Sequence, residues 1–362
     1  MPSIALVMIA RDEARCITRS LLSAAAHVDE MCVLDTGSVD ETPALARRCG
    51  ARVAHWGWQD DFAAARNAAL ALTGADWCLV VDADEWIGGC ATTLHDWCRD
   101  PTARLGLLRV ASLVDGGAAG VQQAPSWLPR LLPRGVRYQG RVHEQPVSAL
   151  PRQRLSLQLL HDGYLPAQMA PKAGRNRRLL QQALQDAPDD GYLHYQLGKD
   201  HEVQGGFAAA APSYLRALEL ADAGAAWRHD LVVRAIFTLK RLGAHAQAMS
   251  LAEAEMPRWG ASPDFFFTLG DLLLDWAATQ PAQAAQLLPL AQDCWQRALQ
   301  IGENPALPDT VRGRGSFLAA HNLAVVCEGL GDRRQATLWR ERAARMRAEA
   351  EAETPMAAMQ PG

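Results

Sequence analysis

Residues 79–85 read Leu-Val-Val-Asp-Ala-Asp-Glu, an apolar run that ends in three carboxylates. The run extends back to Trp77 without a polar face, which is typical of a strand covered on both sides in a parallel sheet. Ligands of open α/β sheets bind beyond the carboxyl ends of such strands. Two carboxylates at positions i and i+2, here Asp82 and Asp84, can share a hard divalent cation. A solvated turn is the alternative, but the buried strand in front of the carboxylates favours a site.

Short apolar runs alternate with helical patterns on the N-terminal side of this strand. They predict strands at residues 4–9, 31–34 and 51–54, with helices between them. A further helix begins at Phe62 and ends before Gly74, just ahead of the strand that leads to the carboxylates. The expected fold of the N-terminal part is therefore α/β, with a Rossmann-like, mostly parallel sheet.

The pattern changes after Pro171 to helical stretches rich in Ala and Leu, and no further strand run follows. Four segments align on a helix-turn-helix unit of about 34 residues, the tetratricopeptide (TPR) period. In the clearest copy, Gly198 and Ala210 let two helices approach, and Tyr214 fills the space between them. The predicted organisation is an α/β domain at residues 1–165, an all-α TPR-like domain at 166–350 and a disordered tail at 351–362.

Composition excludes several classes of protein. The 362-residue chain is 49% hydrophobic with a formal net charge of -4, so no long-range attraction to DNA or RNA is expected. Its apolar start has no basic n-region and soon meets Arg11 and Asp12, which predicts a buried strand and neither a signal peptide nor a membrane span. Eight cysteines without a CxxC pair are typical of reduced thiols, and the expected location is cytoplasmic.

A second polar cluster, residues 35–42 (Asp-Thr-Gly-Ser-Val-Asp-Glu-Thr), follows the second predicted strand. A turn that leads into a capped helix explains this composition without any ligand. Asp35, however, lies at the carboxyl end of its strand in the same layer as Asp82, where a carboxylate can accept hydrogen bonds from a base or ribose. No P-loop and no dinucleotide glycine motif follows any predicted strand, so neither of those nucleotide-binding folds is expected.

Four motifs occur in order along the N-terminal part. They are Ile9-Ala10-Arg11-Asp12-Glu13, Asp35-Thr36-Gly37-Ser38-Val39-Asp40, residues 58–67 (Trp-Gln-Asp-Asp-Phe-Ala-Ala-Ala-Arg-Asn) and Val81-Asp82-Ala83-Asp84-Glu85. Together they resemble glycosyltransferase family 2, which has the GT-A fold, in the subgroup with TPR repeats behind the catalytic domain. The resemblance spans about residues 3–165. It implies transfer of a sugar from a nucleotide-diphosphate donor, with inversion by single displacement.

The resemblance also implies roles at matching positions of the nucleotide pocket. The base and ribose would be lined by the backbone near residues 9–11 and by one acidic side chain, that is by Ile9, Ala10, Arg11 and Glu13. Asp35 and Asp40 would hold the nucleoside. Arg66 and Asn67 match the family's Arg-Asn pair on a helix beside the nucleotide. A surface salt bridge is the alternative for Arg66, and a hydrogen bond in helix packing is the alternative for Asn67.

Residues 82–84 match the family's motif for the metal and the diphosphate, formed by Asp82, Ala83 and Asp84. The implied cofactor is Mn²⁺ or Mg²⁺. His161, in a His-Asp-Gly-Tyr segment that resembles the subgroup's His-x-Gly-Tyr, would complete the metal shell through its imidazole. A position at a helix start, or packing between the two domains, is the alternative for this histidine.

Residues 136–144 end in His-Glu, as does a segment of the resembling subgroup. An inverting transferase must deprotonate its acceptor during attack on the anomeric carbon, so it needs a carboxylate opposite the leaving diphosphate. We assign that base to Glu144, although other family members carry the base in an Asp-containing motif. Arginines at residues 130–141 form either a solvated strand face or a diphosphate contact, and Arg130 is the one we assign to diphosphate.

The sequence therefore predicts a metal-dependent glycosyltransferase with a nucleotide-sugar donor, favouring a UDP-sugar. A peptide, protein or glycan is the expected acceptor, and the TPR-like domain offers a surface for a protein partner. The alternative is a TPR-type protein-binding scaffold whose nucleotide-sugar-binding domain is inactive. A sugar nucleotidyltransferase would need a basic, Gly-rich loop after the first strand, where this chain has Arg11-Asp12-Glu13-Ala14.

Overall fold

The computed structural model describes residues 1–89, 94–100, 102–115, 121–162, 174–307 and 310–352. The chain divides into two compact units, Met1–Ala183 and Leu184–Met356. The helix Arg175–Asp186 begins in the first unit and ends in the second. The domain boundary predicted after residue 165 lies outside the described ranges and stays a prediction. Most of the predicted tail, beyond Ala352, lies outside them as well.

The first unit is built on a twisted sheet with helices between its strands. The strands are β1 Ile4–Ala10, β2 Glu30–Asp35, β3 Arg52–His55, β4 Trp77–Val80, β5 Glu85–Gly89, β6 Leu105–Asp115, β7 Val121–Pro133, β8 Arg137–Gln139, β9 Gln145–Val147 and β10 Arg152–His161. The helices between them in the described ranges are α1 Ile17–Ala24, α2 Thr42–Arg48, α3 Phe62–Leu70 and α4 Leu94–Cys98.

Eight of the described strands form one sheet in the order β3-β2-β1-β4-β7-β6-β10-β5, and β8 and β9 form a separate pair. Parallel pairs join β1 to β2 and β4, β2 to β3, and β6 to β10. Antiparallel pairs join β7 to β4 and β6, and β5 to β10. The predicted α/β, mostly parallel sheet is therefore confirmed, with antiparallel pairs confined to its second half.

Side-chain alternation along β1 places a separate core on each face of the sheet, because successive residues of a strand point to opposite sides. Leu6 is fully buried in the same core as Ile17 of α1. Val7 lies in the opposite core with Ala69 of α3. Both helices thus cover the central strands and leave the carboxyl ends of those strands to the connecting loops.

The second unit is all-α in its described residues. Its helices are Gly191–Val203, Phe207–Leu220, Arg228–Arg241, His245–Trp259, Pro263–Thr279, Ala284–Ile301, Phe317–Gly329 and Arg333–Ala352. The third pair has helices of 17 and 18 residues, against 13 and 14 in the first pair, so the third repeat is longer than the first. The predicted TPR-like unit is confirmed. Within the described ranges, no helix combines the length and the apolar composition needed to cross a bilayer.

Glycines mark the closest approach within helix pairs of this unit. A Cβ added to Gly270 would lie 2.5 Å from Trp295 Nε1, and Trp295 is fully buried. We expect Gly270→Ala to lower the free energy of unfolding of the second unit by about 1–3 kcal/mol, the usual cost of an overpacked core. Urea unfolding measures this loss. Gly329→Ala is the control, because its Cβ meets open space at the last residue of a helix and should not lower the free energy of unfolding. Equal stability of the two variants would contradict the packing argument.

Candidate functional site

The candidate site lies beyond the carboxyl ends of the first four strands. The register places Ala10, Asp35 and His55 side by side at the ends of β1, β2 and β3. Asp82 follows β4, which pairs with the other side of β1. Parallel strands that end at one level bring their following loops to one edge of the sheet. The loops that carry the predicted site residues therefore meet at this edge.

The loop after β1 is fixed by backbone contacts. Ile9 and Ala10 are the last residues of β1, and the Ala10 carbonyl accepts a hydrogen bond from Thr36 N at 2.9 Å. Arg11 is exposed beyond them. Glu13 N donates to Thr42 Oγ1 at 2.7 Å. The main chain of this segment is thus held in place while the Arg11 side chain faces solvent.

Asp40 ties this loop to the loop after β2. Its carboxylate accepts Ala14 N at 3.1 Å and Thr42 N at 2.9 Å. A further bond runs from Asp12 N to Ser38 Oγ at 2.9 Å. In this structure, the Asp40 side chain therefore accepts hydrogen bonds from the backbone of both loops.

A chain of alternating charges crosses the centre of the site, and we call it the charge chain: Glu144, Arg66, Asp82, Arg130 and Glu85. Arg66 Nε donates to Glu144 Oε1, and Arg66 Nη2 donates to Asp82 Oδ1 at 2.7 Å. Arg130 Nη2 lies 2.7 Å from Asp82 Oδ2 and 2.5 Å from Glu85 Oε1. Glu85 Oε2 also accepts Asp82 N at 3.0 Å. Asp82 is therefore held through both of its oxygens by two arginines.

Burial and mutual attraction set the charge states along the charge chain. Burial alone would raise the pKa of Asp82, but Arg130 and Arg66 hold that pKa well below its ordinary value. Burial alone would lower the pKa of Arg66, but Asp82 and Glu144 raise it. Burial, reinforced by the Asp82 charge, raises the pKa of Glu85. The centre of the site thus keeps two permanent positive charges out of solvent.

Asp84 and His161 meet beside the charge chain. His161 Nε2 lies 3.3 Å from Asp84 Oδ2, and both side chains are largely buried. Ser112 Oγ lies 3.2 Å from the other ring nitrogen, Nδ1. Burial would lower the pKa of His161, but the hydrogen bond to Asp84 and the nearby carboxylates raise it. The described residues contain no group of three or more His, Cys, Asp or Glu side chains gathered as a metal site, and Asp82 faces the arginines.

Asp162, the next residue along, anchors this end of β10 to α1 and to the residue two places before it, Arg15. Its carboxylate accepts two bonds from Arg15, at 2.9 and 3.0 Å, and one from Arg19 at 2.7 Å. The Arg19 guanidinium also stacks 3.5 Å above the centre of the Trp86 ring. Burial would raise the pKa of Asp162, but the two arginines lower it. This anchor fixes the backbone that carries His161.

Arg130 and Asn67 both have hydrogen-bond partners within the first unit. Arg130 is buried, so it does not belong to a solvated strand face. The Asn67 amide group donates to Tyr138 O and accepts from Tyr138 N, both at 2.9 Å. Asn67 therefore docks β8 onto α3 in this structure, the packing role that was its alternative.

Several functional candidates are not predicted by the sequence: Glu85, Ser112, His55, Asp162, Arg15 and Arg19. Glu85 directly follows the predicted acidic pair, so its position was available, but its burial behind Arg130 was not. Ser112 and Asp162 act through partners far away in sequence. No local pattern marks such contacts.

Residues 5–89 match the sequence model of glycosyl transferase family 2. The N-terminal unit contains a glycosyltransferase family 2 domain. The matched residues include all four motifs quoted above, and they end before Arg130, Glu144 and His161.

Two curated relatives match a larger share of the chain than the family model does. A TPR repeat-containing protein of Synechococcus elongatus is 35% identical over 260 residues, covering 67% of this chain and 63% of the relative. The SPbeta prophage-derived glycosyltransferase SunS of Bacillus subtilis is 24% identical over 216 residues, covering 55% of this chain and 49% of SunS. The chain thus spans less than two thirds of the length of either relative.

Among solved structures, glucosyl-3-phosphoglycerate synthase from Mycobacterium tuberculosis in complex with Mn²⁺, UDP and glucosyl-3-phosphoglycerate is similar to part of the chain. The two are 26% identical, with 32% of this chain and 46% of that chain covered and a TM-score of 0.25.

Proposed function

We propose that the chain is a glycosyltransferase whose family 2 domain binds a nucleotide-diphosphate sugar and transfers the sugar, with inversion, to an acceptor nucleophile. The observation that carries the proposal is the charge chain at the carboxyl edge of the sheet, beside Asp84 and His161. Buried ions cost stability unless they are fully paired. Titratable groups with shifted pKa values also concentrate at functional sites. A binding site for a diphosphate explains why the fold keeps two buried arginines here.

Asp84 and His161 are the residues that we propose would hold a divalent cation. One carboxylate and one imidazole suit Mn²⁺, and Mg²⁺ also binds through one or two carboxylates with phosphate and water as further ligands. The contact between Ser112 and the second ring nitrogen fixes the orientation of His161, as partners of metal-binding histidines do. A cation held there would neutralise charge on the diphosphate leaving group. We assign Asp82 to holding Arg66 and Arg130.

Glu144 is the proposed general base of the family 2 domain. Arg66 Nε holds one oxygen of its carboxylate, which fixes the side chain next to the charged centre of the site. The acceptor proton would pass to this carboxylate as the acceptor oxygen or other nucleophile attacks the anomeric carbon. Arg66 and Arg130 would meanwhile stabilise negative charge that develops on the diphosphate.

The helical unit supports a second part of the proposal, binding of a protein. TPR-type repeats form extended surfaces that bind peptides or proteins. The relative with 35% identity is itself a TPR repeat-containing protein. We propose that this unit recruits the acceptor or another protein partner. A scaffold with an inactive N-terminal unit is the second candidate function, and it predicts protein binding without nucleotide binding.

A screen of nucleotide-diphosphate sugars by thermal unfolding tests the proposed function. We expect a UDP-sugar, with Mn²⁺ or Mg²⁺ present, to raise the unfolding temperature of the first unit. Ligand at 100 times its Kd adds about 2.7 kcal/mol to the free energy of unfolding, because it binds the native state alone. Absence of any shift across UDP-, GDP-, ADP- and CDP-sugars, with and without metal, would favour the inactive scaffold.

A further inference from the structure

His55 is the last residue of β3, and it stands over the Asp35 carboxylate. Its Nδ1 lies 3.1 Å from Asp35 Oδ2, and its Nε2 lies 3.0 Å from Arg47 Nη2. The His55 side chain is 60% exposed, whereas that of Asp35 is 3% exposed. A ligand that approaches this end of the sheet therefore meets the imidazole first.

The contacts of the ring define its hydrogen-bonding state. An arginine guanidinium can only donate, so Nε2 of His55 accepts from Arg47. The proton of a neutral ring then lies on Nδ1 and is donated to Asp35. His55 is thereby held from both sides by charged residues, while 60% of its side-chain surface stays exposed.

Both carboxylate oxygens of Asp35 already accept hydrogen bonds from groups of the protein itself. Oδ2 accepts Gly37 N at 3.3 Å as well as His55 Nδ1, and Oδ1 accepts Ser38 N at 3.2 Å. These bonds close the turn that follows β2. A buried carboxylate with such partners orients its neighbours and has little surface to offer a ligand.

The strand order indicates which part of a nucleotide would reach His55. β3 lies three strands away from β4, which leads into the charge chain, and this separation is about 14 Å at the usual strand spacing. A nucleoside diphosphate whose phosphates lie at the charge chain would extend its base towards β3. Flat aromatic side chains are suitable platforms for bases, because every base has a π face.

We propose that His55 makes the nucleobase contact at this edge, and that Asp35 and Arg47 are positioning residues that hold its ring. This inference rests on the proposed function, because it requires a nucleotide in the first unit. It moves the nucleoside contact predicted for Asp35 to a residue that no sequence motif marks.

The test compares UDP with inorganic pyrophosphate, which lacks a base, in calorimetric titrations of the full chain with Mn²⁺. We expect His55→Ala to lower the affinity for UDP about 10-fold, within the range for loss of a base-stacking partner. The affinity for pyrophosphate should stay within about twofold of the wild-type value. His55→Phe keeps a flat ring and should retain UDP affinity within about threefold. His95→Ala is the control, because His95 pairs with Asp29 before the start of β2 and should leave UDP binding unchanged. UDP affinity that is unchanged in His55→Ala would overturn the proposal.

A double-mutant cycle separates positioning by Asp35 from direct contact. If Asp35 acts through His55, Asp35→Asn lowers the affinity for UDP in the wild-type background. In the His55→Ala background it then has no further effect on that affinity. An equal loss in both backgrounds shows direct contact by Asp35 and overturns its positioning role. A wild-type chain that binds pyrophosphate but none of UDP, GDP and ADP overturns the His55 proposal and the proposed function together. That result differs from a His55 variant that binds UDP normally.

Discussion

Replacing Glu144 by Gln is expected to lower sugar transfer by ~100-fold or more while UDP binding changes by no more than a few-fold. The amide keeps the shape of the side chain, and its oxygen can still accept the bond from Arg66 Nε. It cannot accept a proton from the acceptor. Arg66 keeps its second partner, Asp82, so the guanidinium remains paired. Transfer to an acceptor, or slow hydrolysis of the UDP-sugar, provides the rate, and calorimetry provides the UDP affinity.

Glu219→Gln is the matched control for this change. Glu219 also pairs with an arginine, Arg216 at 2.8 Å, but on the exposed surface of the helical unit. Its variant should transfer sugar at the wild-type rate, since exposed ion pairs contribute little. Normal turnover of Glu144→Gln would assign the base to another residue. A loss of UDP binding equal to the loss of rate would instead show that Glu144 supports the nucleotide site.

If Mn²⁺ or Mg²⁺ raises UDP affinity as proposed, replacing Asp84 by Asn is expected to abolish that gain. A neutral amide is a much weaker ligand for a hard dication than a carboxylate. It also weakens the contact that holds His161 Nε2 at 3.3 Å in this structure. UDP titrations with metal and with a chelator measure the gain. Metal-dependent binding that persists in Asp84→Asn would remove Asp84 from the cation site.

Two further variants sharpen this result. Asp76→Asn makes the same chemical change just before β4, at the opposite end of that strand from the site, and should leave the metal-dependent gain intact. Asp82→Asn should behave differently from Asp84→Asn, because Asp82 joins two buried arginines. Loss of a buried partner destabilises by about 3 kcal/mol, so its first effect should be a lower free energy of unfolding.

The sequence predicts the first half of the sheet well, because β1, β2 and β4 are apolar runs bounded by turns. The second half was missed. β10 does carry a strand signal, since Leu155, Leu157 and Leu159 are buried with more exposed residues between them. This alternation, with a period of two residues, is typical of a strand and predicts one from the sequence alone. β5 begins within the acidic motif and ends in two glycines, so its sequence is not distinguished from that of a loop.

The site was predictable where it depends on strand ends and not where it depends on distant partners. Asp82 and Asp84 follow directly from the end of β4. Asp82 contacts arginines whereas Asp84 contacts His161, and this difference depends on partners in β7 and β10. No local sequence pattern marks it. The ion pairs of Asp162 with Arg15 and Arg19 are equally non-local. Long-range pairing sets the role of each carboxylate, and residue type alone does not.

The place of β10 in the sheet has a consequence for how the protein matures on the ribosome. β5 pairs with β10, and the register sets Glu85 opposite His161, so two elements of the site come from strands far apart in sequence. During synthesis, β1 to β4 emerge first and can pair early, whereas pairings between distant strands form slowly. The nascent chain must therefore carry an unpartnered β5 until Arg152–His161 has emerged. His161 joins Asp84 only at that stage, so β1 to β4 can assemble co-translationally before the proposed cation site exists.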